Sequence, residues 1–288
     1  VTATAPGFSG PGGRGGDGRG SHGWLADVRL ALRNQFNVFS ALLYREAETR
    51  HGQSFALGYL IAGIEPMVIV ATIGVLFSAL SRTPPYGHSL LLFLGTGVFP
   101  IYVFIHTSLR IRQPLNGLHQ RNRYPIERPL DHLMVHAVLH VVSSAAVAVL
   151  FFLGLYWFGG VEAAVPFDPI TAVAALATIF MLGLAMGIFN AVFARLVPVW
   201  DVVWPAVARA SLHFSGPYFV AAYLPPTQRF YFGLNPVMHG VNWFRSAFYP
   251  FYPQALTDKG YLLLVAAVML TLGLLLESGT RRLLEEKE

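Results

Sequence analysis

From Gly58 to Leu80 the chain reads GYLIAGIEPMVIVATIGVLFSAL, and a segment so long and so apolar has few places to go. About 20 apolar residues in a helix span a bilayer. Inside the hydrocarbon every backbone polar group must find its partner within the protein, which leaves helices or a closed barrel. Similar runs recur along the chain at helical rather than strand length. Composition agrees: 54% of the 288 residues are hydrophobic and only 12% charged, against about 25% charged in soluble domains. The expectation is an all-α integral membrane protein. Cysteine is absent, which excludes disulfides and thiolate metal sites.

The spans are placed at roughly 57–80, 90–109, 132–157, 170–194, 202–224 and 260–280, six in all, within a transmembrane domain covering 53–288. Asp168-Pro169 reads as an N-cap and first-turn pair for the fourth. Gly183 and Gly187 form a GxxxG there, a spacing that lets helices approach closely. Residues 1–23 form a Gly-rich stretch expected to be a disordered tail. It lacks the apolar run of a secretory signal peptide, and its two arginines are too few for a nucleic-acid-binding tract, so no nucleic acid is expected as a partner. Residues 24–52 predict an amphipathic helix, since Leu25, Val28, Leu32, Phe36, Phe39 and Leu43 recur at spacings of three and four. Beside a first span, such a helix lies in the membrane interface; packing on a partner as a soluble helix is the other reading.

Charge sets the orientation. With both termini on one side, that side holds fifteen of the twenty Lys and Arg residues, so both termini are expected to be cytoplasmic by the positive-inside bias. The segment 225–259, rich in aromatics and prolines, then lies outside. It is too short to cross and too apolar for a free loop. It predicts one or two short re-entrant helices, or else an amphipathic cap on the outer surface. Asn235, Pro236, His239 and Arg245 there are candidates for an outer gate.

Several stretches, taken together and in order, resemble the permease subunits of ABC-2 polysaccharide exporters, with the capsular-polysaccharide branch the nearest. LLYREAETRHGQSFALGYLIAGIEPM is similar to that family's entry into the first span, and FLGTGVFPIYVF to its second. RYPIERPLDHLMVHAVLH resembles the loop entering the third span. FSGPYFVAAYLP and LNPVMHGVNWFRSAFYPFY resemble the family's ending. The chain departs from the pattern at Ile61, where the family has Trp, and at Asn242, where it has Glu. It departs again at Val135-His136 and His140, within the stretch after the loop. The resemblance implies a homodimer in the bacterial inner membrane with two ATP-binding subunits. It also implies a channel for lipid-linked polysaccharide between the two copies, a periplasmic co-polymerase and an outer-membrane translocon.

The chain itself holds no cofactor on this reading. A P-loop needs GxxxxGK[ST], and neither Lys259 nor Lys287 sits in one. ATP and Mg therefore belong to the partner subunit. The cytoplasmic loop 110–132 carries five arginines, and Asn116, Gly117, Leu118, His119, Gln120, Arg121, Asn122 and Arg123 form the candidate coupling helix. A solvated loop facing anionic lipid is the plainer alternative.

Glu65 and Pro66 sit inside the first span. A charged side chain at a span's centre costs about 2.5–3.5 kcal/mol, so Glu65 should face protein or water. Two readings stand: a cytoplasmic substrate entrance, in which a Pro66 kink opens the helix and Glu65 pairs with Arg110 or Arg209, or a structural ion pair that fixes the dimer. Arg209 and His213, four residues apart on the fifth span, suit a phosphate-bearing anchor or a carboxylate partner. Aromatic faces hold sugar C–H surfaces weakly enough for a polymer to slide, so Tyr59, Phe99, Tyr102 and Tyr218 are candidates for the channel wall; ordinary packing is the alternative. His132, His136 and His140 share a helical face, but only Asp131 stands beside them, so no metal is assigned. A drug or lipid exporter of the same superfamily, or an exporter of O-antigen or teichoic acid, is the nearer alternative. A membrane glycosyltransferase or lipid-modifying enzyme would need a clustered acidic site that the sequence lacks.

Overall fold

A computed structural model describes residues 55–110 and 129–285. All regular structure among the described residues is helical: α1 (Phe55–Ala79), α2 (Leu90–Arg110), α3 (Pro129–Trp157), α4 (Pro169–Leu196), α5 (Trp200–Phe214), α6 (Pro226–Gly233), α7 (Pro236–Ser246) and α8 (Lys259–Glu285). Single 3-10 turns lie at Glu162–Ala164 and Ala221–Tyr223. Among the described residues, α2, α3, α4 and α8 each carry a stretch long and apolar enough to cross a membrane. α1 adds a shorter apolar part, Ile64–Ala79. Residues 1–54 and most of the expected coupling loop, 111–128, lie outside the described residues.

The helix starts follow local chemistry. Proline opens α4, α6 and α7, where its missing N–H is not needed. Asp168 caps α4: its Oδ1 accepts from the Thr171 amide at 3.0 Å, and the Thr171 hydroxyl donates to Oδ2 at 2.6 Å. α1 runs unbroken through Pro66. It ends with Ser81 at φ 52°, and the Ser81 and Arg82 amides donate back to the carbonyls of Ser78 and Phe77. That pattern closes a helix with a left-handed residue, and the Arg82 guanidinium covers the Phe77 ring at 5.1 Å.

The expected fifth span, 202–224, is not a continuous helix. α5 stops at Phe214 after 15 residues. Ser215-Gly216-Pro217 follows, with Gly216 at φ +77°. A left-handed glycine followed by a residue without an amide donor cannot extend the helix. The chain continues through a run of bends and a 3-10 turn, then as α6 and α7, the two short helices of segment 225–259.

α2 is the hub. It packs against α1, α3, α4, α5 and α7, and 83% of its apolar window is buried, against 17% for α8, which leans on α4. Gly183 of α4 lies against Phe104 and Thr107 of α2, so close that a Cβ would stand 2.9 Å from the Thr107 Cβ. Half of the GxxxG expectation thus has a definite partner.

Candidate functional site: a polar cluster among apolar helices

Glu65 projects from α1 toward α2. Its Oε2 lies 3.1 Å from His106 Nε2, and the Tyr102 hydroxyl donates to Oε1 at 3.4 Å. Tyr102 and His106 are four apart on α2, so one helical face presents both. The His106 ring stacks on His140 of α3, with centroids 5.6 Å apart and planes 12° from parallel. His140 Nε2 in turn contacts the Ser144 hydroxyl at 3.3 Å, one turn along α3. Three helices therefore converge on one row of polar groups. The row is buried at Tyr102 and His140 and open at Glu65, whose side chain is 57% exposed.

A second group adjoins it. Arg209 and His213 are exposed on α5. The His213 ring lies 5.9 Å from Tyr218, and Tyr218 lies 6.4 Å from Phe77 of α1. Arg209 and Tyr218 both come within electrostatic range of Tyr102. The Tyr218 hydroxyl is buried with no hydrogen-bond partner among the described residues. Carboxylate, guanidinium, imidazole and phenol thus edge one open region. Together they can accept from sugar hydroxyls and donate to phosphate oxygens.

Measured against the sequence, five expected wall residues gather here: Glu65, Tyr102, Arg209, His213 and Tyr218. Tyr59 has no described side chain. Phe99 does not join them: it is 3% exposed and packs on Phe151 and Phe152 of α3. Its apolar ring completes the helix core instead. Nor does Glu65 pair with Arg209: its partners are His106 and Tyr102, which the neighbouring helix brings nearer, while the side chain of Arg110 lies outside the described residues. His106 and Ser144 were missed. The signal for His106 was its i+4 spacing from Tyr102 in an otherwise apolar helix.

The residues proposed for an outer gate hold the end of the molecule together. Asn235 caps α7 through the Val237 amide at 3.0 Å and donates to the Ser215 hydroxyl at 2.9 Å. Pro236 is the first residue of α7. His239 Nδ1 accepts from the Asp258 amide at 2.9 Å, which leaves Nε2 to donate to the Gly233 carbonyl at 2.7 Å. That pair of partners suits a neutral ring with its proton on Nε2. Arg245 is wholly buried. Its Nη1 donates to Gly216 O (2.8 Å), Phe219 O (3.1 Å) and the Tyr252 hydroxyl (3.3 Å). Its Nη2 donates to Pro217 O (2.8 Å) and Phe93 O (3.3 Å). The guanidinium also lies over the Phe93 ring at 3.9 Å. These contacts tie α7, α2 and the chain after α5 into one knot, and a residue fixed in this way is positioned as a staple.

Long apolar helices with ionisable groups turned onto one another define a multi-pass integral membrane protein. The chain belongs to the ABC-2 type transporter family, whose membrane-domain model matches residues 37–249. It is similar to the polysialic acid transport protein KpsM of Escherichia coli, at 27% identity over 250 residues, covering 86% of this chain and 95% of that protein. It is also similar to the capsule polysaccharide export inner-membrane protein BexB of Haemophilus influenzae (24% identity, 88% and 95% covered). CtrC of Neisseria meningitidis, which carries the same description, is 25% identical (86% and 92% covered). The chain is a transporter permease, not an enzyme.

Proposed function

We propose that this chain is the transmembrane subunit of an ATP-driven exporter that moves lipid-linked capsular polysaccharide across the inner membrane. The observation that carries the reading is the similarity to a polysialic acid transport protein and two capsule polysaccharide export proteins along nearly their whole length. The polar region around Glu65, Tyr102 and Arg209 supports it, because an exposed carboxylate and guanidinium on apolar helices require water or a second subunit opposite them. Two copies pair with these faces toward a shared passage. Arg209 meets the phosphate of the lipid anchor, Glu65 accepts from sugar hydroxyls, and Tyr102 and Tyr218 offer rings to the glycan.

Both termini lie in the cytoplasm in this arrangement. The loop 110–132 then docks on two ATP-binding subunits, and Asn116–Arg123 takes up the movement when ATP closes them. Segment 225–259 dips into the outer leaflet. A periplasmic co-polymerase and an outer-membrane translocon receive the polymer.

Purification with a candidate ATP-binding subunit is the test. Co-elution as a complex of two copies of each chain, with ATP hydrolysis stimulated by lipid-linked polysaccharide, is the expected result. Failure to assemble, or hydrolysis indifferent to polysaccharide, would overturn the reading.

A further inference from the structure

His239 joins two helix ends with one ring. Its Nε2 donates to the carbonyl of Gly233, the last residue of α6, at 2.7 Å. Its Nδ1 accepts from the amide of Asp258, the residue before α8, at 2.9 Å. The ring is 6% exposed and lies 5.1 Å from the Tyr261 ring. Asp258 caps α8, its Oδ1 accepting from the Tyr261 amide at 2.9 Å. The Tyr261 hydroxyl donates to the carbonyl of Leu234, just past α6, at 2.8 Å.

The two bonds ask opposite things of the imidazole. One needs an N–H and the other a lone pair, and only the neutral ring has both. An imidazolium carries an N–H on each nitrogen. Protonated, His239 would set Nδ1–H against the Asp258 N–H, donor against donor. Flipping the ring does not help, because neither nitrogen would then accept. Asp258 is itself exposed, so its amide, once released, passes to water.

The charges around the ring allow the proton to arrive. The Asp258 carboxylate attracts an imidazolium and Lys259 repels it; the Lys259 ammonium lies over the Trp243 ring at 4.8 Å. On α6, Arg229 is held by the Ala222 and Leu224 carbonyls, and Tyr231 is exposed. On α7 itself, Arg245 is bound to carbonyls. Beside His239, Gly240 meets Ile179 of α4 and Leu262 of α8. Neither α4 from Ile170 to Ala194 nor α2 from Leu90 to Ile101 carries a titratable side chain. The Asp258 carboxylate can therefore take the protonated Nδ1 in place of the amide.

Release at this point reaches the open region. Phe232 of α6 packs on Phe214 and Phe219, with ring centroids 6.3 and 5.4 Å away, and these adjoin His213 and Tyr218 in the chain. Histidine is the side chain that ordinarily changes charge between pH 5 and 8. We propose that His239 is an acid-sensitive latch. Neutral, it ties the end of α6 to the cap of α8; a proton on Nδ1 lets the tie go and frees α6 at the outer end of the passage. That α6 faces outward and borders a passage rests on the proposed function, whereas the latch needs only the ring and its two partners.

The test is hydrogen–deuterium exchange of the full chain in nanodiscs, read by mass spectrometry at pH 8 and pH 5. Rates are corrected for the intrinsic effect of pH on amide exchange. Ordinary carboxylates titrate below this interval. Exchange over residues 256–262 should rise about tenfold at pH 5, the scale of one lost hydrogen bond. Exchange over 159–167, in the turn between α3 and α4, should stay unchanged. His239→Gln can donate and accept without titrating, and should keep slow exchange at both pH values. His239→Asn serves the same purpose if the Gln variant does not fold. Equal exchange at the two pH values in the natural chain would overturn the latch. So would a rise that persists in the variant, or one shared by 159–167. No ATPase or polysaccharide enters the measurement, so its failure is distinct from failure of the exporter reading.

Discussion

Arg245 and Glu65 show how differently two ionisable residues can be used among apolar helices. Arg245 has no exposed surface and answers carbonyls that a broken helix leaves open. Its room comes from Gly97, where a Cβ would stand 2.5 Å from Nη2 and 2.7 Å from the Pro217 backbone. Replacing Arg245 with Met would leave four carbonyls and the Tyr252 hydroxyl without this donor. The expected loss is about 3 kcal/mol or more. Thermal unfolding of the purified protein in detergent checks this, and an unchanged midpoint would contradict it. Glu65 is open and sits where substrate is proposed to pass. Glu65→Gln keeps the shape and the contact with Tyr102 but removes the charge. Capsule export should fall on the order of tenfold, the value of one charge-assisted hydrogen bond at ~1.5 kcal/mol, with protein abundance unchanged. Wild-type export from the variant would remove Glu65 from the mechanism.

Helix ends set the geometry that these residues use. Asp168 fixes the start of α4 through Thr171, and its own amide donates to the Ala247 carbonyl beyond α7, at 3.0 Å. The Thr171 hydroxyl and then its amide hold the Asp168 carboxyl below the usual carboxylate range. A lowered pKa in the folded chain means the cap contributes stability above the unfolded value. That contribution is lost as pH falls through the folded one. Thermal midpoints measured from pH 6 downward should therefore fall more steeply for the natural chain than for Asp168→Asn, which can cap without titrating. Parallel curves would refute the cap's role. The other decisive end is that of α5. There Gly216 and Pro217 turn the chain away from the helix, and the carbonyls thus freed become the acceptors for Arg245.

For the whole molecule, force has to reach the helices from a separate ATPase. The loop 110–132 connects to α2 and α3, the helices that carry Tyr102, His106 and His140. A push on that loop would therefore act on the polar row through two rigid elements. Arg121→Glu with Arg123→Glu should lower polysaccharide-stimulated ATP hydrolysis about tenfold by reversing charge at the proposed docking surface. It should leave the thermal midpoint unchanged. Retained stimulation would send the coupling elsewhere.

The sequence determined what depends on local order. Apolar runs of bilayer length fixed the class and placed most of the helices, and the cap Asp168 announced where α4 begins. Family motifs, read in order, gave the transporter. Tertiary structure decided what depends on distance across helices. Among the described residues Glu65 met His106 and Tyr102 rather than Arg209, because α2 lies against α1. Phe99 turned to α3 and became core. Arg245 became a staple because the carbonyls it needs belong to residues 93 and 216–219, far from it in sequence. Periodicity tells a helix which face is apolar; it does not tell that face which neighbour it will meet.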